Sequence, residues 1–92
     1  MKESNIKSVE RLLKALANYR RLAIVKLLRR RKEITVGDIA DEIKLSFTAT
    51  SKHLGVLYNA DIVEKEQISL QMWYRFSRSA SHIAKYISNS LE

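Results

Sequence analysis

Two short helical patterns lie almost end to end in the middle of this chain, and their spacing restricts the fold more than any other feature. Thr35 followed three residues later by Asp38 reads as a capping box. Val36, Ile39, Ala40 and Ile43 then fall at i, i+3, i+4 and i+7, one apolar face of a helix. After Lys44 and Leu45, Ser46 is placed to cap a second helix running from about Phe47 to Asn59. Only about three residues separate the two. Short helices joined that tightly form a helix-turn-helix.

The flanking sequence fits around that centre. Ile6, Val9, Leu12, Leu13 and Leu16 predict an amphipathic helix through about Ala17, and Asn18 is a natural cap for the next, which carries Leu22, Val25, Leu27 and Leu28. Glu33, Ile34 and Thr35 make a short extended segment. Ile62 to Gln67 and Met72 to Ser77 are rich in β-branched and aromatic residues and predict a hairpin around Ile68, Ser69, Leu70 and Gln71. In its second strand Met72, Tyr74 and Phe76 are expected to face the core, with Trp73 and Arg75 opposite. Ser79 or Ser81 starts a last helix bearing Ile83, Ala84, Ile87 and Leu91. The expected fold is mainly α with a small β-hairpin wing, in the order α-α-(β)-α-α-β-β-α. With no proline, two glycines and no linker or repeat, residues 1–92 read as one domain. A domain of this length buries too little surface to be robust alone, so a partner subunit is expected.

The formal net charge is +7, distributed unevenly: residues 1–32 hold eleven Lys/Arg against two Glu, the remainder six against eight acids. Such a balance suits a polyanion, either nucleic acid or an anionic membrane surface. Arg29, Arg30, Arg31 and Lys32 read either as a phosphate-binding patch or localisation signal, or as the solvated end of a helix. Nothing approaches a membrane-spanning run, and the N-terminus lacks the apolar core of a signal peptide, so a cytoplasmic protein without membrane partners is expected. The absence of cysteine excludes disulfides, thiolate metal sites, thiol switches and cysteine nucleophiles. There is no Gly-rich phosphate loop, and neither histidine stands with a carboxylate and a nucleophile. No catalytic residue, cofactor or enzymatic activity is expected.

The second helix of the central pair carries the chemistry. At 100° per residue Thr50, Leu54, Leu57 and Tyr58 fall on one side and read as core. Thr48, Ser51, Lys52, Gly55 and Asn59 group on another, a polar stripe without an acid, suited to the major groove of duplex DNA. Hydroxyls exchange hydrogen bonds with base edges, Lys52 reaches a guanine or a phosphate, and Gly55 lets the backbone come close. Ser46 and Phe47 open this helix and complete the candidate DNA-binding set. Phe47 either touches a thymine methyl or packs inward as a staple. His53, between the stripes, reads as a packing residue.

Residues 15–28, ALANYRRLAIVKLL, resemble the second-helix signature of the ArsR family, with Tyr19 where a proline is usual. Residues 33–63 are similar to that family's central block, and WYRFS, residues 73–77, to its second wing strand. The resemblance implies a winged helix-turn-helix regulator of transcription, a homodimeric repressor on an inverted-repeat operator. The last helix is too short to stand alone, so the dimer is expected to be built from the first and last helices, which offer Ile6, Val9, Leu13 and Leu16 and Ile83, Ile87 and Leu91, some of which also serve the monomer core. Metal-sensing relatives often carry two cysteines where Thr35 and Gly37 stand, and others ligate zinc from the last helix, where this chain has His82 followed by Lys85. No metal is therefore expected. Glu64 and Glu66 on the wing and the apolar Ile68 and Leu70 near its tip depart from a basic minor-groove wing. They leave one alternative open, a winged-helix module that binds protein without reading DNA.

Overall fold

Five helices and three strands follow the expected order in the computed structural model, which describes residues 3–91. They are α1 (Glu3–Leu16), α2 (Tyr19–Arg30), β1 (Ile34–Thr35), α3 (Val36–Ile43), α4 (Phe47–Asn59), β2 (Val63–Ile68), β3 (Gln71–Phe76) and α5 (His82–Ser90). Met1, Lys2 and Glu92 lie outside the described residues.

Each helix after α1 begins on the expected cap. Asn18 accepts from the Arg21 amide, Thr35 from Asp38, and Ser46 from Ala49. For α5 the cap is Ser81 rather than Ser79, accepting from Ala84. The Ser79 hydroxyl lies instead 3.2 Å from that of Ser77.

The ends of α3 and α4 do not use glycine. After α3 the amide of Leu45 donates to Ala40 and that of Lys44 to Asp41, with Lys44 in the left-handed region at φ 57°. After α4 the amide of Ile62 donates to Leu57 and that of Asp61 to Tyr58, with Asp61 at φ 59°. Both are the paired hydrogen bonds of a Schellman ending. They reverse the chain within three residues, which is why α3 and α4 can lie so close. Ile62, expected to open the first wing strand, thus belongs to the end of α4, and β2 starts at Val63.

The sheet has one strand more than a hairpin. β1 pairs antiparallel with β3, Ile34 opposite Tyr74 and Thr35 opposite Trp73, giving the order β1-β3-β2. The hairpin closes tightly, with Ile68 opposite Gln71, so Ser69 and Leu70 alone make the turn.

Every element contributes to one core. Leu12, Ala15 and Leu16 come from α1, Ile24, Val25 and Leu28 from α2, Ile39 from α3, Leu54 and Leu57 from α4, and Tyr74 from β3. Met72 and Phe76 pack against it, as expected. Tyr58 does not belong to it: 41% exposed, it turns outward and its ring lies 4.3 Å beneath the Lys65 ammonium. Leu16 is buried within the chain and so is not available to a partner, whereas Ile6, Leu13 and Ile83 remain exposed. Ile87 and Leu91 are half-buried against the core.

Candidate nucleic-acid interface

α4 is anchored by Thr50, Leu54 and Leu57, and its opposite side faces solvent. Thr48, Lys52 and Asn59 are exposed there; Ser51 and Gly55 are half-buried along the same surface. Ser46 caps the helix from 3.1 Å, and exposed Phe47 projects outward from its first turn, so the inward staple is not formed. A Cβ added to Gly55 would meet nothing within 4 Å. Packing inside the chain therefore does not explain this glycine, which in a helix costs about 1 kcal/mol relative to alanine. Val56, 40% exposed beside Gly55, is an apolar member of the same surface that the two-stripe reading passed over.

The two flanks of α4 differ sharply. On one side, half-buried His53 meets Arg21 of α2: Nη1 of Arg21 lies 3.2 Å from Nδ1 of His53. The guanidinium also donates from Nε to the Ala15 carbonyl at 2.6 Å and from Nη2 to that of Lys14 at 3.3 Å. One arginine thus ties the end of α1, the start of α2 and the middle of α4. As acceptor, Nδ1 requires the neutral ring. Burial, together with the nearby charges of Arg21 and Arg20, holds the His53 pKa below its usual value.

The wing flank is acidic, and its arginine is already engaged. Arg75 lies 3.0 Å from Glu64, 2.9 Å from Glu33 and 3.5 Å from Glu66. Glu64 also accepts from the Arg78 amide at 2.7 Å and from the Ser77 hydroxyl, and these hydrogen bonds, the amide first, hold its pKa below the usual carboxylate range. In sequence Glu33 belongs only to an extended segment, and nothing local links it to Arg75, 42 residues away.

The basic run at the end of α2 is exposed throughout, and two of its four residues meet other helices. Arg29 lies 3.4 Å from Asn89 of α5, and Arg31 pairs with Glu42 of α3 at 3.7 Å. His82 is exposed at the start of α5. Among the described residues no group of three or more His, Cys, Asp or Glu is placed to hold a metal ion. Among the described residues no helix is long and apolar enough to cross a membrane.

Residues 18–65 match the sequence pattern described as "Bacterial regulatory protein, arsR family". The chain is 35% identical over 77 residues to the transcriptional activator HlyU of Vibrio cholerae, covering 84% of this chain and 69% of that protein. The structure of HlyU from the same organism superimposes with a TM-score of 0.82 at 32% identity, over 98% of this chain and 94% of that one. The homodimeric winged helix-turn-helix DNA-binding domain of a possible ArsR-family regulator from Mycobacterium bovis gives 0.83 at 28% identity, over 98% and 83%. The transcriptional repressor BigR of Xylella fastidiosa gives 0.75 at 31% identity, over 97% and 84%.

Proposed function

The chain belongs to the arsR family of bacterial regulatory proteins and is a winged-helix DNA-binding regulator of transcription, and we propose that it works as a homodimer that represses by occupying an inverted-repeat operator in the cytoplasm. In this reading α4 enters the major groove with Ser46, Phe47, Thr48, Ser51, Lys52, Gly55 and Asn59 toward the DNA, and α1 and α5 join the subunits. The protein carries out no chemistry of its own and needs no metal or cofactor. The M. bovis relative is homodimeric. One relative is an activator and another a repressor. Repression rests here on simple exclusion of other proteins from the operator.

The observation that carries this reading is Gly55, a helical glycine on an acid-free exposed stripe with open space where its side chain would be. Its conformational penalty is offset if a ligand backbone or base edge approaches closely. Gly55→Ala should therefore raise the stability of the free protein by about 1 kcal/mol while weakening DNA binding. Gly37, also helical with open space around it, is the control. Gly37→Ala should stabilise similarly and leave affinity unchanged. Operators selected from random duplexes, followed by binding and denaturation measurements on both variants, test this. A Gly55→Ala protein that binds as tightly as the parent overturns it. On the same selected site, Lys52→Ala or Ser51→Ala should cost on the order of 1–3 kcal/mol if a base contact is lost. A promoter reporter distinguishes repression from activation.

Leu70, 96% exposed at the tip of an acidic wing, favours a second role for that element as a protein contact. In the extreme form of this role, without specific DNA readout, the selection would enrich no sequence.

A further inference from the structure

α1 has three faces. Leu12, Ala15 and Leu16 are buried in the core. Exposed Ile6 and Leu13, with half-buried Val9, form one flank of that stripe. Lys7, Arg11 and Lys14 form the other, about 130° from the buried stripe around the axis. This basic flank borders α4: a groove of about 440 Å3 is lined by Lys7, Arg11 and Lys14 of α1, Arg21 of α2 and Val56 of α4, with Glu10 its one acid. Glu10 lies 3.6 Å from Lys14, with both side chains largely exposed. Such a pair contributes little and is easily exchanged for another anion.

On the opposite flank of α4, toward the wing, Arg75 is enclosed by three glutamates. The residues of the wing tip, Gln67 to Gln71, carry no charge. Asp38 and Asp41 line the groove between Phe47 and Leu70. Clustered positive charge therefore adjoins the reading helix on the α1 side, whereas on the wing side Lys65 lies over the Tyr58 ring and Arg75 is held by its glutamates.

We propose that Arg11 and Lys14 of α1 bind phosphates of the operator on the α1 side of α4, and that Arg75 on the wing side, held by its glutamates, makes no phosphate contact. The proposal rests on the reading of α4 as the DNA-reading helix. If α1 is also the subunit contact, its side of α4 faces the two-fold axis. The bound phosphates then lie in the spacer between half-sites, not in the outer flanks. The grip on the backbone is central, and a short duplex suffices for full affinity.

Two measurements on the full chain and a selected operator test this. In the first, methylphosphonate linkages neutralise phosphates either in the spacer or outside the half-sites, with the protein unaltered. Spacer neutralisation should weaken binding on the order of 10-fold, and outer neutralisation should weaken it far less. In the second, affinity is followed against salt for the Arg11→Gln/Lys14→Gln protein. Its log-log slope should be shallower by about 0.9 per contact removed, with the same sequence preference. Arg78→Gln, at the base of the wing, should keep the parental slope. An unchanged slope in the double variant, or sensitivity confined to the outer phosphates, overturns the proposal. Loss of sequence preference in Lys52→Ala shows separately that α4 reads the site. If that preference persists, the premise about α4 has failed, and the phosphate result still stands or falls by itself.

Discussion

Thr50 sits at the centre of α4 fully buried, its hydroxyl without a hydrogen-bond partner among the described residues. An unsatisfied buried hydroxyl costs about 1–3 kcal/mol, and valine has nearly the same shape. Thr50→Val should raise stability by roughly 1 kcal/mol in chemical denaturation without altering DNA binding, since this side chain points away from the exposed stripe. A loss of stability would mean that the hydroxyl has a partner. His53 gives the opposite kind of prediction. Its folded pKa lies below the ordinary value near 6.5, so the unfolded chain binds its proton first as pH falls. The stability this residue contributes is fully present above about pH 6.5 and is lost as pH drops through the folded value, when the charged ring would face Arg21 and Arg20. Denaturation midpoints measured from pH 7.5 to 5 should fall in the parent and fall less in His53→Gln. Glu64, with its pKa lowered, contributes at lower pH: its share is present above the usual carboxylate value and lost as pH falls beneath it.

Helix starts in this chain are legible and helix ends are not, for a physical reason. A side-chain cap is written in the sequence as Asn18, Thr35 or Ser46. A left-handed ending is legible only when glycine marks it, and here Lys44 and Asp61 hold those positions. The same holds at the wing, where Ser69 adopts φ 59° in a two-residue turn. A side chain in that region costs on the order of 1 kcal/mol, though glycine there gives some of this back through a freer unfolded chain. Ser69→Gly is therefore expected to stabilise by about 0.5 kcal/mol and leave DNA affinity untouched, as judged by paired denaturation and binding measurements. Within α4 the 100° wheel separated Thr50, Leu54 and Leu57 from Thr48, Lys52 and Asn59 correctly, because burial follows helical period. It failed at Tyr58, an amphipathic ring at the edge of the core stripe whose environment is set by Lys65 on a different element. The Arg21 tie to His53 and the Arg75 cluster span 32 and up to 42 residues, and no periodicity encodes such pairings.

At the scale of the whole molecule, the question is what covers the apolar surface left over once the core is full. Ile6 and Leu13 on α1 and Ile83 and Tyr86 on α5 are exposed, while both helices are held to the body by other residues, Leu12, Ala15 and Leu16 for the first and Ala84 and Ser88 for the second. This division could not be made from sequence, because Leu13 and Leu16 are equally apolar and only the fold decides which faces inward. Nine residues of helix have little stability of their own, so α5 gains most if a second subunit covers Ile83 and Tyr86. Sedimentation of the parent at micromolar concentration should give about twice 10.7 kDa. Leu13→Asp removes an exposed side chain that the monomer core does not use and places a charge where the partner would sit, a change that is costly unless the charge finds a counterion. It should shift the mass to that of one chain and make binding to an inverted repeat no tighter than binding to a single half-site. Its circular dichroism at room temperature should remain helical, since the core is untouched. A Leu16→Asp protein should instead unfold, because that residue is buried within one subunit. If Leu13→Asp remains dimeric with undiminished affinity for the repeat, α1 does not join the subunits. The two-fold axis must then run elsewhere, and the basic flank of α1 would lie over the outer phosphates instead of the spacer.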